Sequence, residues 1–354
     1  MAYFNPLIAQ PLTDKTHCAT ISRVRARIWF MTNSLKTPSR QSSHISLLLP
    51  RQPNQLNQGI PFIKMHSLGN DFVIIDARPG RRAHGFKPTV EGTSWACDRH
   101  KGIGADQLVV IDTDEASNTP RVRFFNVDGK EVGACGNASR CVGRLLLDES
   151  AVGTQEVRFL TNNGFLFSTD GDEAGTTSVR LPAPHFEWSK VPLADECDAQ
   201  NVPGLAPNGW ENACCMSMGN PQCVLLAPPG CDLSTLDLEG IAAPVERNPM
   251  FPEGVNVMLV AVDKAEGVVK VRPWERGAGA TQACSTGAAA SVVAAALRNH
   301  LPQSRQEGKK VSARVDFVTA CGGNLRTTWR SDGTVELVCK VHISFRGHAP
   351  RGSM

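Results

Sequence analysis

Short apolar runs alternate with turns rich in glycine and asparagine over most of the chain, which is typical of many short strands. In the first part of the chain, the runs predict strands at residues 62–65, 72–76, 108–111, 122–125, 157–160 and 179–181. In the second part, they predict strands at residues 223–226, 257–260, 268–271, 315–318, 325–329, 335–338 and 341–345.

Two segments have a helical period instead. After Cys135, and again after Cys284, apolar side chains recur at i, i+3, i+4, i+7 and i+8. The first helix is predicted to begin at about Cys135, and the second to run from about Cys284 to Leu297. Their strongly apolar stripes predict that each helix lies inside a cup of strands. The predicted fold class is therefore α+β.

The two parts of the chain also repeat each other. Gly69-Asn70 returns 150 residues later as Gly219-Asn220, and 149 residues separate Gln107 from Asn256, Asn126 from Glu275, and Cys135 from Cys284. Four matched points in one register indicate two copies of one fold. We predict two pseudo-symmetric domains, each a strand-rich sheet wrapped round a central helix, with an active site in the cleft between them.

Composition separates an N-terminal extension from this repeated body. Residues 1–60 carry seven Lys and Arg against one Asp, whereas the other 294 residues carry 30 basic and 33 acidic side chains. The acid-poor segment 1–59 is predicted to be disordered or targeting, as in a plastid or mitochondrial transit segment. The alternative is that the predicted start of the protein lies too far upstream, with Met31 or Met65 as later candidates for the first residue. The body is predicted to form one domain over residues 60–183 and another over 184–340, followed by a tail at 348–354.

The body's charge and cysteines exclude several classes of protein. A near-neutral body lacks the basic face of a nucleic-acid binder, and no apolar run reaches the roughly 18 residues of a membrane span. None of the twelve cysteines forms a C-x-x-C pair, which disfavours a structural zinc site. We predict a reducing compartment, either the cytoplasm or an organelle matrix. Packing in the core is the interpretation for Cys141, Cys214, Cys215, Cys223 and Cys339.

Cys135 and Cys284 have a different context, because a glycine-rich loop leads each of them into a helix. Free N–H groups and the helix dipole bind anions there, and the same field is expected to lower a thiol pKa. Two such sites face to face could hold one carboxylate with a thiol on either side of its α-carbon. This predicts racemisation or epimerisation by two thiols that share one proton, without pyridoxal phosphate, another cofactor or a metal.

Polar residues at the other repeat points suggest a binding site for a charged substrate. These residues are Asn70, Gln107, Asn126, Asn220, Asn256, Glu275 and Arg276. Arg276 would pair with a carboxylate, and Glu275 with an ammonium group. Asparagine also favours tight turns, which is an equally good interpretation for Asn70 or Asn220 alone. The whole set, paired across two halves, favours binding.

The chain resembles the diaminopimelate epimerases from about Pro61 to Phe345. The resemblance lies in residues 64–72 (KMHSLGNDF), 102–107 (GIGADQ), 125–129 (FNVDG), 134–137 (ACGN), 217–221 (SMGNP), 275–279 (ERGAG) and 282–284 (QAC). It implies two pseudo-symmetric domains, no cofactor, and interconversion of LL- and meso-diaminopimelate on the lysine pathway. It also implies a homodimer, and a last strand, residues 341–347, that belongs with the first domain.

The resemblance also assigns roles to individual residues. It implies that Cys135 and Cys284 are the acid/base thiols. It places the reacting carboxylate on the backbone N–H groups of Gly136, Asn137, Ser285 and Thr286. The distal end of the substrate lies against Asn70, Asn126, Asn220, Asn256 and Arg276, with Glu275 near an amino group and Gln107 close by.

The chain departs from the family's pattern at five positions. The family usually has glycine at Ser67, Ala138 and Ser285, histidine at Gln222 and glutamate at Ala280. We expect an active epimerase that is slower or has a shifted pH profile. One alternative is a racemase of another amino acid, of the proline or hydroxyproline type, and another is a catalytically weakened binding homologue. Arg276 and the asparagines disfavour the first alternative, and the paired thiols disfavour the second.

Overall fold

The strands and helices of the chain fall into two similar series, followed by one more strand, in a computed structural model that describes residues 59–133, 135–301, 311–317 and 323–354. The N-terminal half contains β1 (Ile60–Ser67), β2 (Asn70–Asp76), α1 (Val90–Cys97), β3 (Gln107–Asp114), β4 (Thr119–Asn126), β5 (Glu131–Val132), α2 (Gly136–Glu149), β6 (Glu156–Thr161), β7 (Gly164–Thr169) and β8 (Thr176–Leu181). The C-terminal half contains β9 (Cys214–Ser217), β10 (Pro221–Leu226), α3 (Leu238–Glu246), β11 (Asn256–Asp263), β12 (Val268–Glu275), β13 (Gly279–Ala280), α4 (Ser285–Leu297), β14 (Val311–Phe317), β15 (Asn324–Trp329) and β16 (Val335–Lys340). Strand β17 (His342–Ala349) follows. The predictions for residues 1–58 and the predicted end of a strand at Val318 lie outside the described residues.

Strand order is the same in the two halves. It runs β1-β2-β3-β4-β6-β7-β8 in the first half and β9-β10-β11-β12-β14-β15-β16 in the second. The parallel pairs are also equivalent, with β2–β3 and β4–β6 matching β10–β11 and β12–β14. The predicted α+β class and the predicted repeat are therefore confirmed. The halves join where β8 pairs with β16, and β17 pairs with β1.

The long helix of each half lies against the strands of that half. Helix α2 contacts β1, β2, β6, β7 and β8, and α4 contacts β10, β11, β12, β14, β15 and β16. Every residue of α4 from Ser285 to Ala296 is buried, which its small and apolar side chains allow. The apolar stripe seen in the sequence thus corresponds to a helix enclosed by strands.

Helices α1 and α3 were not predicted from the sequence. Each connects two parallel strands, β2 to β3 and β10 to β11, and parallel pairing needs such a crossover. Their helical signal is weak, because α1 has only eight residues and α3 contains Pro244. The remaining signal is at their N-termini, where Thr89 and Asp237 accept hydrogen bonds from Gly92 and Gly240 N–H groups.

Most of the described cysteines are core residues. Burial confirms the predicted packing role of Cys141, Cys214, Cys215, Cys223 and Cys339. All ten cysteines in the described part of the chain have free thiols. Among the described residues, no helix has the length and apolarity needed to cross a bilayer.

Candidate active site

The two long helices begin against each other. Helix α2 starts at Gly136 and α4 at Ser285, so each predicted cysteine lies at the N-cap rather than in the first turn. A Cβ atom on Gly136 would lie 2.5 Å from Cβ of Ser285, which leaves no room for a side chain at Gly136. Asn137 Nδ2 donates to the Ala283 carbonyl at 3.4 Å, and Ser285 Oγ donates to Asn137 Oδ1 at 2.6 Å. The helix starts are therefore tied together by their own side chains.

A cavity of about 460 Å³ lies over these helix starts, between the two halves. All thirteen residues that the sequence predicted for the site line it. The N-terminal half contributes Asn70, Gln107, Asn126, Cys135, Gly136 and Asn137. The C-terminal half contributes Asn220, Asn256, Glu275, Arg276, Cys284, Ser285 and Thr286. The repeat in the sequence thus corresponds to two similar walls of one cavity.

Four further residues with charged or amide side chains line the cavity and were not predicted from the sequence. They are Asp106, Asn163, Lys190 and Glu253. Asp106 directly precedes Gln107, and this adjacency was the available signal. Lys190 and Glu253 lie outside the repeated motifs, so the repeat could not indicate them. Within the described residues, no three His, Cys, Asp or Glu side chains form a group that could hold a metal ion.

Asn70 is fixed by a hairpin turn and by an acidic neighbour. The turn before it has φ of 55° at Leu68 and 81° at Gly69, which suits a two-residue hairpin. Asn70 Nδ2 donates to Asp106 Oδ2 at 2.5 Å. This bond directs Asn70 Oδ1 towards Asn137, whose Nδ2 donates to it at 3.2 Å, and towards the Cys135 thiol at 4.0 Å.

The half-buried Cys135 thiol is less acidic than the sequence predicted. Burial raises its pKa to about 12, and the nearby Glu275 carboxylate adds to this effect. The N–H groups of Asn137 and Ala138 act in the opposite direction, as expected at a helix start, and so does the charge of Arg140. The prediction of a lowered pKa is therefore wrong, because desolvation of the thiolate outweighs the helix field.

Cys284 is more deeply buried and has a different set of neighbours. Its Sγ accepts a hydrogen bond from the Gly287 N–H at 3.4 Å and lies 3.5 Å from Thr286 Oγ1. Burial and the charge of Glu275 nevertheless raise its pKa well above the ordinary value. The prediction of a lowered pKa is wrong here for the same physical reason.

The charge of Glu275 raises the pKa of both thiols. Its Oε1 accepts a hydrogen bond from Thr281 Oγ1 at 2.5 Å. Burial raises the pKa of its carboxyl, and hydrogen bonds from Thr281 and Cys284 partly offset this rise. An ammonium group beside this carboxyl would favour its ionised form.

The amide side chains hold one another in place. Gln107 Nε2 donates to Asn126 Oδ1 at 2.8 Å, across the β3–β4 pair. Gln222 donates through Nε2 to Asn220 Oδ1 at 2.8 Å and to Thr286 Oγ1 at 3.1 Å.

Arg276 is held at the edge of the cavity by its neighbours. Its backbone N–H donates to Asn256 Oδ1, and its Nη1 donates to the Glu253 carbonyl, both at 2.8 Å. Its side chain is 40% exposed, so part of the guanidinium stays open to the cavity.

The fold is shared with a class of structures of distant sequence. A PhzF-family phenazine biosynthesis protein from Bacillus anthracis has a TM-score of 0.56 and 14% identity, covering 82% of this chain and 99% of that one. A probable proline racemase from Agrobacterium radiobacter K84 has a TM-score of 0.56 and 13% identity, covering 82% of this chain and 92% of that one. At this level of identity, the likeness concerns the fold alone.

The sequence comparison identifies the family within this class. The family model described as diaminopimelate epimerase matches residues 62–184 and 214–341, and the chain belongs to this family. A diaminopimelate epimerase of Phenylobacterium zucineum is 38% identical over 300 residues, covering 82% of this chain and 98% of the relative. A diaminopimelate epimerase of Acidiphilium cryptum is 37% identical over 289 residues, covering 81% of this chain and 95% of the relative.

The contact between the helix starts gives a testable prediction. Gly136→Ala is expected to lower the free energy of unfolding by about 2 kcal/mol, because the new Cβ overlaps Ser285. Adding Ser285→Gly removes the overlapped atoms, so the double variant is expected to recover most of that loss. Denaturant titrations of wild type, Gly136→Ala, Ser285→Gly and the double variant form the double-mutant cycle that measures this coupling. Equal destabilisation by Gly136→Ala in both backgrounds would contradict the contact.

Proposed function

We propose that this chain is a diaminopimelate epimerase that interconverts the LL and meso isomers without a cofactor, as a step of lysine biosynthesis. Membership of the family supports the reaction. The observation that supports the chemistry is the cavity over two abutting helix starts, each with a cysteine at its N-cap.

In the proposed reaction, the α-carboxylate of the substrate lies on the backbone N–H groups of Gly136, Asn137, Ser285 and Thr286. The thiolate of one cysteine takes the α-proton, and the electron pair of the C–H bond stays on the substrate as a carbanion. The hydrogen-bonded carboxylate stabilises that charge. The other cysteine then donates its thiol proton to the opposite face, which inverts the centre and leaves a thiolate. The pair ends with the same single proton, so the reverse reaction uses the same groups in exchanged roles.

The distal end of the substrate is proposed to lie at the opposite side of the cavity. Arg276 pairs with the distal carboxylate, and Asn70, Gln107, Asn126, Asn220 and Asn256 supply further hydrogen bonds. Glu275 pairs with an ammonium group. This division favours a long substrate with two charged ends over a small ring amino acid, because proline has no distal charges for these residues to bind.

The raised thiol pKa values predict a strong pH dependence. The thiolate is the base, and burial raises the pKa of both thiols, so each keeps its proton at neutral pH. Raising the pH removes that proton, so kcat/KM is expected to rise about tenfold per pH unit between pH 6 and 8.5. The measurement is initial rates at low substrate, with circular dichroism at each pH to check that the protein stays folded. A plateau below pH 8 would contradict the raised values.

Chiral chromatography tests the reaction itself. Incubation of reduced protein with LL-diaminopimelate is expected to give the meso isomer at equilibrium, and incubation with the meso isomer to give LL. L-Proline and trans-4-hydroxy-L-proline serve as parallel substrates and are expected to remain unchanged. Inversion of proline instead would support the alternative racemase, and inversion of no substrate would support a binding homologue.

The same proposal includes the assembly and the compartment. We expect a homodimer with domains at residues 60–183 and 184–340 and the strand at 341–347 in the first domain. The pairing of β17 with β1 supports that placement. The ten free cysteines of the described part of the chain support a reducing compartment. Sedimentation equilibrium of the reduced protein tests the dimer.

A further inference from the structure

Arg140 is a charged residue of α2 that is completely buried. Its Nη2 donates to Ser67 Oγ at 3.2 Å, to Ser285 Oγ at 3.1 Å and to Asn137 Oδ1. Its Nε and Nη1 have no hydrogen-bond partner, and no acidic side chain among the described residues forms an ion pair with it. These three hydrogen bonds therefore all run through one nitrogen.

A guanidinium in this state lacks its counter-ion. Arginine keeps its charge in proteins, and burying that charge is unfavourable unless an anion compensates it. The oxygens of Ser67, Asn137 and Ser285 supply only partial charges. The nearby helix starts add further positive potential rather than negative charge. Arg140 therefore carries a positive charge that no described residue neutralises.

The three partners of Arg140 come from three different elements. Ser67 ends β1, Asn137 is in the first turn of α2, and Ser285 begins α4. Ser67 Oγ also lies 3.2 Å from Cys339 Sγ on β16. The guanidinium thus joins the hairpin before Asn70 to both helix starts.

The position of Arg140 beneath the helix starts connects it with the anions of the reaction. Its side chain does not line the cavity, whereas its partners Asn137 and Ser285 do. Its charge acts on Cys135, whose pKa it lowers.

We propose that Arg140 is a positioning residue: it fixes the two helix starts against each other, and its charge stabilises the anions that form above them. Those anions are the bound α-carboxylate and the Cys135 thiolate. The assignment of the carboxylate rests on the proposed function, whereas the effect on the Cys135 thiolate does not.

Alkylation of Cys135 tests the charge without requiring any enzymatic activity. Iodoacetamide reacts with the thiolate, so the rate at which the Cys135 peptide is modified, followed by mass spectrometry across pH, reports its ionisation. Arg140→Met removes the charge at similar length, and Arg140→Lys keeps it. At pH 8, the Met variant is expected to react about tenfold more slowly than wild type, which corresponds to a shift of about one pH unit. The Lys variant is expected to stay within about threefold of wild type.

A folded Arg140→Met variant with the wild-type alkylation profile would overturn the proposal. An equal shift in the Met and Lys variants would also overturn it, because packing rather than charge would then be responsible. If neither variant folds, Arg140 is a structural residue and the proposal fails. Epimerisation by the wild-type chain is measured in parallel. If the wild-type chain shows no epimerisation but Arg140→Met shows the expected alkylation shift, the proposed function is wrong and the electrostatic role of Arg140 is still supported.

Discussion

Replacing either Cys135 or Cys284 with alanine is expected to lower kcat/KM for epimerisation by at least about a thousandfold. Each thiol serves one face of the α-carbon, so one thiol can remove a proton but cannot return one to the opposite face. Because the two groups act as a unit, the double variant is expected to be little worse than either single variant. Progress curves with LL-diaminopimelate, read by chiral chromatography, give the rates.

Cys197→Ala is the matched control, because Cys197 is a free, exposed cysteine outside the cavity. It is expected to keep wild-type kinetics. Retention of more than a tenth of wild-type kcat/KM by either Cys135→Ala or Cys284→Ala, in a folded protein, would exclude the two-thiol mechanism.

Arg276→Gln is expected to raise KM for diaminopimelate by about 10- to 100-fold, with a smaller change in kcat. Hydrogen bonds to charged groups contribute about 1.5–3 kcal/mol. The substitution would remove this interaction with the distal carboxylate equally in the bound substrate and in the transition state, so KM changes more than kcat. Steady-state kinetics in both directions measure the effect. Arg247→Gln is the control, because Arg247 is exposed and lies outside the cavity lining.

A substrate analogue isolates the role of Arg276. Lysine has the carbon chain of diaminopimelate without the distal carboxylate, so it cannot make the proposed pair. As a competitive inhibitor, lysine is therefore expected to bind wild type and Arg276→Gln with the same affinity within about threefold. A comparable loss of lysine affinity would contradict the proposed pairing, since the substitution would then act through the structure of the site.

The sequence predicted the cavity because equal spacing has a simple structural consequence. Two copies of one fold place equivalent residues on opposite walls, so the 149-residue interval between Cys135 and Cys284 indicated that both face one site. The helical period after each cysteine predicted the two enclosed helices. Residues outside the repeat, such as Lys190 and Glu253, reach the cavity through loops whose course no local pattern specifies.

The protonation of the thiols could not be predicted in the same way. A helix start lowers a thiol pKa by a local effect that the sequence shows, whereas desolvation depends on every element packed around the thiol. In this structure burial is the larger effect at Cys135 and Cys284. The hydrogen-bond partners of Arg140 could not be predicted either, because Ser67 and Ser285 lie 218 residues apart and come together only in the folded chain.

Solvent deuterium incorporation tests the central claim most directly. LL-diaminopimelate is incubated with reduced enzyme in D₂O, and both isomers are isolated at less than about a tenth of complete conversion. Two thiols on opposite faces predict meso product with one deuterium at the inverted α-carbon and recovered LL isomer that is largely unlabelled. Meso product without deuterium, or recovered LL isomer labelled as fast as product forms, would contradict proton removal and return by two separate thiols.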